Sequence, residues 1–274
     1  MTVAIIEQAG RRTLGVFVAA VCAFSLLPIA VVLLTSFTNE GFIRFPPRSF
    51  GLRYYADALG RPEFREALAV SVVIALVVSF AAAVIGTLAA YALTRTTFRG
   101  RTITTAFLLS PLVVPHVIIG VALLQTFVLA RIPVAPAGLL IGHLTAVVPL
   151  MIGFATASLA GFPRQLEWAS LSLGAGRVRT FFQVTLPGIA PGILSGLIYI
   201  FIYSFDEATI SLFTTRSNFR TLPVVIFGDA VDQAPVTNAM SGLMLLIAFA
   251  AIALLQWRVG LFRVLLARGQ TITQ

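Results

Sequence analysis

The chain has no lysine: all nineteen of its basic residues are arginine, set against ten acids. Without a lysine amine there can be no Walker phosphate loop, no retinal Schiff base and no pyridoxal Schiff base. If ATP drives anything here, the nucleotide site is on another chain. Charge of either sign is also scarce, at 11% of 274 residues, where a soluble domain carries about 25%. Cysteine is reduced to Cys22 inside an apolar run, so no intrachain disulfide exists and the residue reads as a small apolar side chain. No metal-ligand spacing and no nucleophile–base constellation is visible, which leaves an intramembrane enzyme without support.

Apolar residues fill the gap. They make up 58% of the chain, and mean hydropathy is +0.98, the signature of a polytopic membrane protein. A pI near 11.1 would suggest nucleic acid in a soluble chain, but here the arginines flank apolar runs and report topology. Six runs can be read: Leu14 to Leu34, about Ala67 to Leu93, Ile103 to Leu129, Ala137 to Ala160, Ile189 to about Phe213, and about Ala239 to Trp257. Arg11 and Arg12 before the first run resemble a signal peptide, yet the run is about twenty residues long with no small-residue cleavage site after it, so it reads as a retained span. Pro111 and Pro115, one turn apart, are expected to kink or break the third run, and Pro149 interrupts the fourth. Between the first two runs, residues 41–62 carry FPPRSF, Tyr54 and Tyr55, a loop and interfacial composition.

Six spans place both termini and two loops on one side. That side holds Arg11, Arg12, Arg95, Arg99, Arg101, Arg164, Arg177, Arg179, Arg258, Arg263 and Arg268 against only Glu7 and Glu167. The other side balances eight arginines with eight acids. The positive-inside rule therefore predicts cytoplasmic termini. One membrane domain over 1–274 is expected, with a core at about 67–262.

A polar island, LEWASLSLGAGRVRTFFQVTLP at Leu166 to Pro187, separates the fourth and fifth runs. Leu166, Ser170 and Leu173 share a helical face, Gly174, Ala175 and Gly176 interrupt, and Val178, Phe181, Phe182 and Val184 resume the pattern. The spacing predicts helix, turn, helix along the cytoplasmic surface, stopped by Leu186 and Pro187. Such a hairpin either meets a partner protein or rests on the bilayer by its apolar side.

The residue order resembles the EAA loop of binding-protein-dependent ABC importer permeases. Leu173, Gly174, Ala175, Leu186 and Pro187 stand at the family's motif positions, with Phe182 and Val184 also fitting. One position departs: the family's glutamate falls on Trp168, and Glu167 is one residue early. SFTN at Ser36 to Asn39, ALTRTTFRGR at Ala92 to Arg101, SFDEATISLFTT at Ser204 to Thr215 and Arg220 to Pro223 are similar to the spermidine/putrescine branch; relatives importing aminoethylphosphonate, ferric iron or thiosulfate share much of this pattern. The resemblance implies an all-α, six-helix type I importer (MetI-like) permease fold in a bacterial inner membrane. It also implies a second permease subunit, two cytoplasmic ATPases that bind ATP and magnesium, an external substrate-binding protein, and no cofactor on this chain. The ATPase-coupling loop is then about 163–187, carried by Glu167, Trp168, Ala169, Leu173, Gly174, Ala175, Gly176, Arg177, Arg179, Phe182, Leu186 and Pro187.

For a substrate pathway the candidates are Asp206 and Glu207, near the outer end of the fifth run. Adjacent residues point about 100° apart, so one of the two is expected to face the pathway. The alternative pairs them with Arg216 or Arg220 at a helix end. His116 and His143 have no acid near them in sequence and read as buried, hydrogen-bonded histidines. An ion-coupled secondary transporter is the competing transport class, but its inverted repeats are not visible.

Overall fold

The computed structural model describes residues 2–216, 219–229 and 235–270, with side chains described between 13 and 254 of those ranges. Asp232 is outside the described residues, and the side chains of Glu7, Arg11, Arg12, Arg258, Arg263 and Arg268 are outside the described side chains. In chain order the helices are α1 (Thr2–Ser36), α2 (Arg53–Gly60), α3 (Pro62–Arg95), α4 (Arg101–Leu109), α5 (His116–Leu129) and α6 (Ala137–Gly161). They continue as α7 (Arg164–Ser172), α8 (Arg177–Thr180), α9 (Leu186–Phe205), α10 (Thr209–Thr214), α11 (Leu222–Asp229) and α12 (Pro235–Gln270). Among the described residues the only strand-like pairings are two isolated bridges. Among the described residues five helices are long and apolar enough to cross a membrane, or six if one sharply bent pair is counted as a span.

The chain divides into two compact units. In the first, Met1–Arg61 with Gly228–Leu246, Ser36 Oγ and Tyr55 OH lie 2.7 Å apart and Asn238 Nδ2 donates to Thr35 Oγ1 at 3.0 Å. The α1 span keeps Leu14, Phe17 and Phe24 exposed, as a lipid-facing helix does.

The second unit, Pro62–Phe227 with Ile247–Gln274, is a bundle in which α3, α6 and α9 pack on one another. Its core is assembled from small residues opposite larger ones. Ala75, Ala82 and Ala90 of α3 are fully buried, and such residues let helix backbones approach closely where lipid supplies no hydrophobic drive. Met151 of α6, also fully buried, fills the space left by two glycines. A Cβ on Gly86 of α3 would stand 2.6 Å from Met151 Cβ, and one on Gly196 of α9 would stand 2.9 Å from Met151 Sδ. Three helices therefore meet at one flexible thioether.

Proline behaves differently in each run. Pro149 lies inside an unbroken α6, where neighbouring helices hold the turn. The pair Pro111/Pro115 does break its run: α4 continues as a 3₁₀ turn, Ser110–Leu112, and the chain bends by 100° before α5. The expected stop at Leu186 and Pro187 is corrected. Leu186 N–H reaches back five residues to Phe181 O, a π turn spans Phe181–Thr185, and the helix runs on from Arg177 to Phe205. Pro187 sits at the start of α9, where its missing N–H disturbs little after a widened turn. The fifth span thus begins earlier than its hydropathy suggests and ends at Phe205, with α10 a separate helix.

The Met151 junction yields a first prediction. Gly86→Val should overpack it and lower stability by about 1–3 kcal/mol, while Met151→Leu should cost less than about 1.5 kcal/mol. Thermal unfolding of the detergent-solubilised chain measures both; equal melting temperatures for wild type and Gly86→Val would contradict the close approach.

Candidate functional site

Two clusters of polar side chains occupy opposite ends of the α3/α6/α9 bundle. From His143 to Gly161 along α6 is eighteen steps, about 27 Å of helix, and the clusters adjoin those two points.

At one end the polar island is the expected hairpin, α7 and α8 joined by a turn. Gly174 closes α7 with φ +87°. Its N–H donates to Leu171 O at 3.0 Å and the Ala175 N–H to Ser170 O at 3.2 Å, the paired bonds of a left-handed C-terminal cap. Space around Gly174 is open, so the requirement for glycine is conformational and not steric. Ser170 Oγ and Thr180 Oγ1, 3.0 Å apart, staple the two helices.

Glu167 is where the hairpin joins the bundle. It is buried, and its carboxylate receives Arg95 Nε at 3.2 and 3.1 Å on its two oxygens and the Thr185 hydroxyl at 3.0 Å. The same guanidinium donates to Leu159 O at 3.1 Å and Phe162 O at 3.4 Å. Arg95 of α3, the end of α6, α7 and the π turn are thereby held at one point. Nearby, Arg164 donates to Thr94 O at 2.6 Å, and Phe181 packs edge-on to Tyr91 at 4.9 Å. Trp168, at the motif's acid position, is 59% exposed. Ala169, Leu173, Gly176, Arg177, Arg179, Phe182 and Pro187 are exposed, while Ala175 and Leu186 are half-buried.

At the other end Asp206 caps α9 and Glu207 follows it. They face different surroundings. Glu207 is buried, and its carboxylate accepts the Ile210 N–H at 3.0 Å and the Ser211 N–H at 3.1 Å, capping α10. His116 Nδ1 lies 3.5 Å from one of its oxygens and His143 Nε2 3.9 Å from the other. His116 is also the first residue of α5, and the carboxylate stands at the N-terminus of α10, where negative charge is stabilised.

The histidines have defined partners. Ser211 Oγ donates to Glu207 O at 2.8 Å, so it accepts from His143 Nε2–H at 2.9 Å, and His143 Nδ1 accepts the Ser204 hydroxyl at 2.7 Å. His116 Nε2 meets Tyr203 OH at 3.1 Å. Both are hydrogen-bonded as the sequence suggests; His143 is buried as expected, whereas His116 is only half-buried. Their convergence on an acid is not legible there, because 64 and 91 residues separate Glu207 from them along the chain. Neither Arg216 nor Arg220 pairs with Asp206 or Glu207 among the described residues.

Asp206 opens onto a cavity of about 410 Å³ that Glu207 also lines, together with Tyr199, Tyr203, His116 and Thr209. Its partial burial by protein, and then the Glu207 charge beside it, push its carboxyl above the usual range. No group of three or more His, Cys, Asp or Glu side chains suited to a metal occurs among the described residues. Among the described residues the Asp206 carboxylate has no ion-pair partner and shares its cavity with two tyrosines, which suits an organic cation.

Comparison with known proteins agrees with this architecture. The family model "Binding-protein-dependent transport system inner membrane component" matches residues 82–268. The chain is 26% identical over 245 residues to the spermidine/putrescine transport system permease protein PotC of Escherichia coli (strain K12), covering 89% of this chain and 92% of that one. It is 32% identical to the putrescine transport system permease protein PotI of the same organism, covering 81% and 82%. The molybdate/tungstate permease WtpB of Pyrococcus abyssi is 26% identical, covering 88% and 94%. Among solved structures, a bacterial ABC transporter that imports the polysaccharide alginate superposes with TM-score 0.70 at 12% identity, over 92% of this chain and 95% of that one. The methionine transporter MetNI gives 0.57 at 15% identity, over 73% and 97%. From the family match across the bundle and relatives aligned along most of their length, the chain belongs to the inner membrane components of binding-protein-dependent transport systems.

Proposed function

We propose that the chain is one of two permease subunits of an ATP-driven importer for polyamines such as putrescine and spermidine. Its partners are a second permease, two cytoplasmic ATPases that bind ATP and magnesium and carry out hydrolysis, and an external binding protein. The α7–α8 hairpin and both termini face the cytoplasm, where the ATPases dock. The chain needs no cofactor of its own and is not an enzyme.

The observation that carries the substrate class is the unpaired Asp206 carboxylate in a tyrosine-lined cavity. Polyamines are flexible cations; a carboxylate attracts an ammonium group and aromatic faces add cation–π attraction. Relatives named for both polyamines and oxyanions align with this chain, and the charge of the cavity favours the cation. Backbone N–H groups already engage the Glu207 carboxylate, so Asp206 is the acid left to meet a cation in the cavity that both residues line.

The coupling route follows from helix continuity. Arg177 to Phe205 is one helical path of 29 residues, about 44 Å long. Its first turn lies in the hairpin and its C-cap is Asp206. Closure of the ATPases displaces α7, the Glu167–Arg95 pair passes the displacement to the ends of α3 and α6, and α9 carries it toward the cavity.

Three outcomes test this reading. Asp206→Asn should raise the putrescine concentration for half-maximal uptake about tenfold, measured with labelled putrescine in cells carrying the whole system; competition by molybdate and not by spermidine would overturn the polyamine assignment. Glu167→Ala leaves Arg95 buried and unpaired and should cost about 3–5 kcal/mol, with the Arg95→Met/Glu167→Ala double variant losing less than the sum in thermal unfolding. Gly174→Val, strained at positive φ by roughly 1–2 kcal/mol, should lower solute moved per ATP hydrolysed, whereas Gly174→Asn should restore most of it. Normal coupling in the Val variant would remove the hairpin from the mechanism.

A further inference from the structure

The hairpin's surface specifies what kind of groove receives it. Its one acid, Glu167, is buried and consumed by Arg95 and Thr185. Every charge it shows to solvent is positive: Arg164, Arg177 and Arg179 are exposed. Arg99 and Arg101, on the adjoining loop and α4, are exposed too. Arg179 is engaged by Gln183 at 2.9 Å, and Arg164 by the Thr94 carbonyl. No described side chain pairs with Arg177.

Beside this surface is a cavity of about 450 Å³ between the end of α3 and the hairpin, with Arg164, Arg177 and Trp168 among its lining residues. Arg95 also lines it but is already neutralised by Glu167. Two guanidiniums without a counter-charge make the cavity a receptor for a carboxylate, whose two oxygens match the planar guanidinium fork.

The apolar residues decide between a protein and a bilayer. At 100° per residue, Leu166 and Leu173 lie on one flank of α7 while Trp168 and Leu171 lie on the other. All four are exposed. A helix resting on lipid gathers its apolar residues into one stripe; apolar residues on both flanks fit a helix gripped from two sides. Trp and Arg are also the side chains that most often anchor protein interfaces.

We propose that the ATPase partnered with this permease receives α7 in an acidic groove, with a carboxylate that enters the cavity against Arg164 and Arg177 and apolar walls that hold Trp168 and Leu171 on one side and Leu173 on the other. This rests on the reading of the hairpin as the ATPase-facing loop. In this chain the permease supplies the cations of the contact, and tryptophan at the motif's acid position removes the one exposed negative charge that would oppose an acidic groove.

The test uses the transporter assembled with its own second permease and ATPases and immobilised through the permease, with ATPase retention followed as NaCl rises from about 0.1 to about 0.5 M. Wild type should shed its ATPase as salt increases. Arg177→Gln should weaken retention about tenfold and flatten the salt dependence; Arg177→Lys should keep the salt dependence. Trp168→Ala should weaken retention to a similar degree with the salt dependence unchanged. Charge reversal of one acid in the ATPase groove should restore binding to Arg177→Glu.

Wild-type retention and salt dependence in the Arg164→Glu/Arg177→Glu variant would overturn the acidic groove. If Leu173→Asp nevertheless releases the ATPase, the hairpin is still the docking element and only the charge inference fails. If Leu173→Asp and Trp168→Ala also retain it fully, the docking reading itself fails. Loss of binding to phosphatidylglycerol vesicles in the Arg variants, with ATPase retention unchanged, would assign the surface to lipid and overturn the proposal. Melting temperatures equal to wild type show that each variant is folded.

Discussion

The structure depends on one buried ion pair, Arg95 with Glu167. Taking a carboxylate and a guanidinium out of water costs several kcal/mol each, and the cost is offset because both groups have further hydrogen-bond partners besides each other. Glu167 has Arg95 and Thr185; Arg95 has Glu167 and the carbonyls of Leu159 and Phe162. Those residues come from four different stretches of chain. The pair thus gathers the ends of α3 and α6, the first helix of the hairpin and the π turn leading into α9. A hairpin held only by apolar contact could slide over the bundle; a buried, hydrogen-bonded ion pair fixes its register, since any shift strands a charge.

The far end of the bundle handles a second buried acid by other means. Glu207 finds backbone N–H groups at the start of α10 and two histidines from α5 and α6. Here too the interior is self-sufficient. Within these two clusters, among the described residues, the Asp206 carboxylate at one end and the Arg177 guanidinium at the other have no charged partner. A negative cavity at one end and a positive hairpin at the opposite end are joined by the continuous helix of Arg177 to Phe205.

Much of this was legible without coordinates. The spans stand close to the runs read from hydropathy, the hairpin turns at Gly174, and the third run gives way at Pro111 and Pro115. Misreadings occurred where local rules met tertiary context. Pro187 ends a helix by its own chemistry, yet a π turn widens the backbone just before it and the helix continues. Glu167 and Trp168 are neighbours in a surface segment, and nothing in their order says which turns inward. The histidines looked solitary because the acid they approach is far along the chain.

Sequence alone determined what depends on composition and local period: a lysine-free, apolar chain of membrane spans, an arginine-rich face, a glycine where φ must be positive, and a motif order that marks the family. Tertiary structure alone decided which charges are spent and which are free. The reason is that burial and pairing are made by groups 60 to 90 residues apart, as between Arg95 and Glu167 or His143 and Glu207. Local sequence carries no record of such distances, and in a membrane protein with few charges the unspent ones define the function.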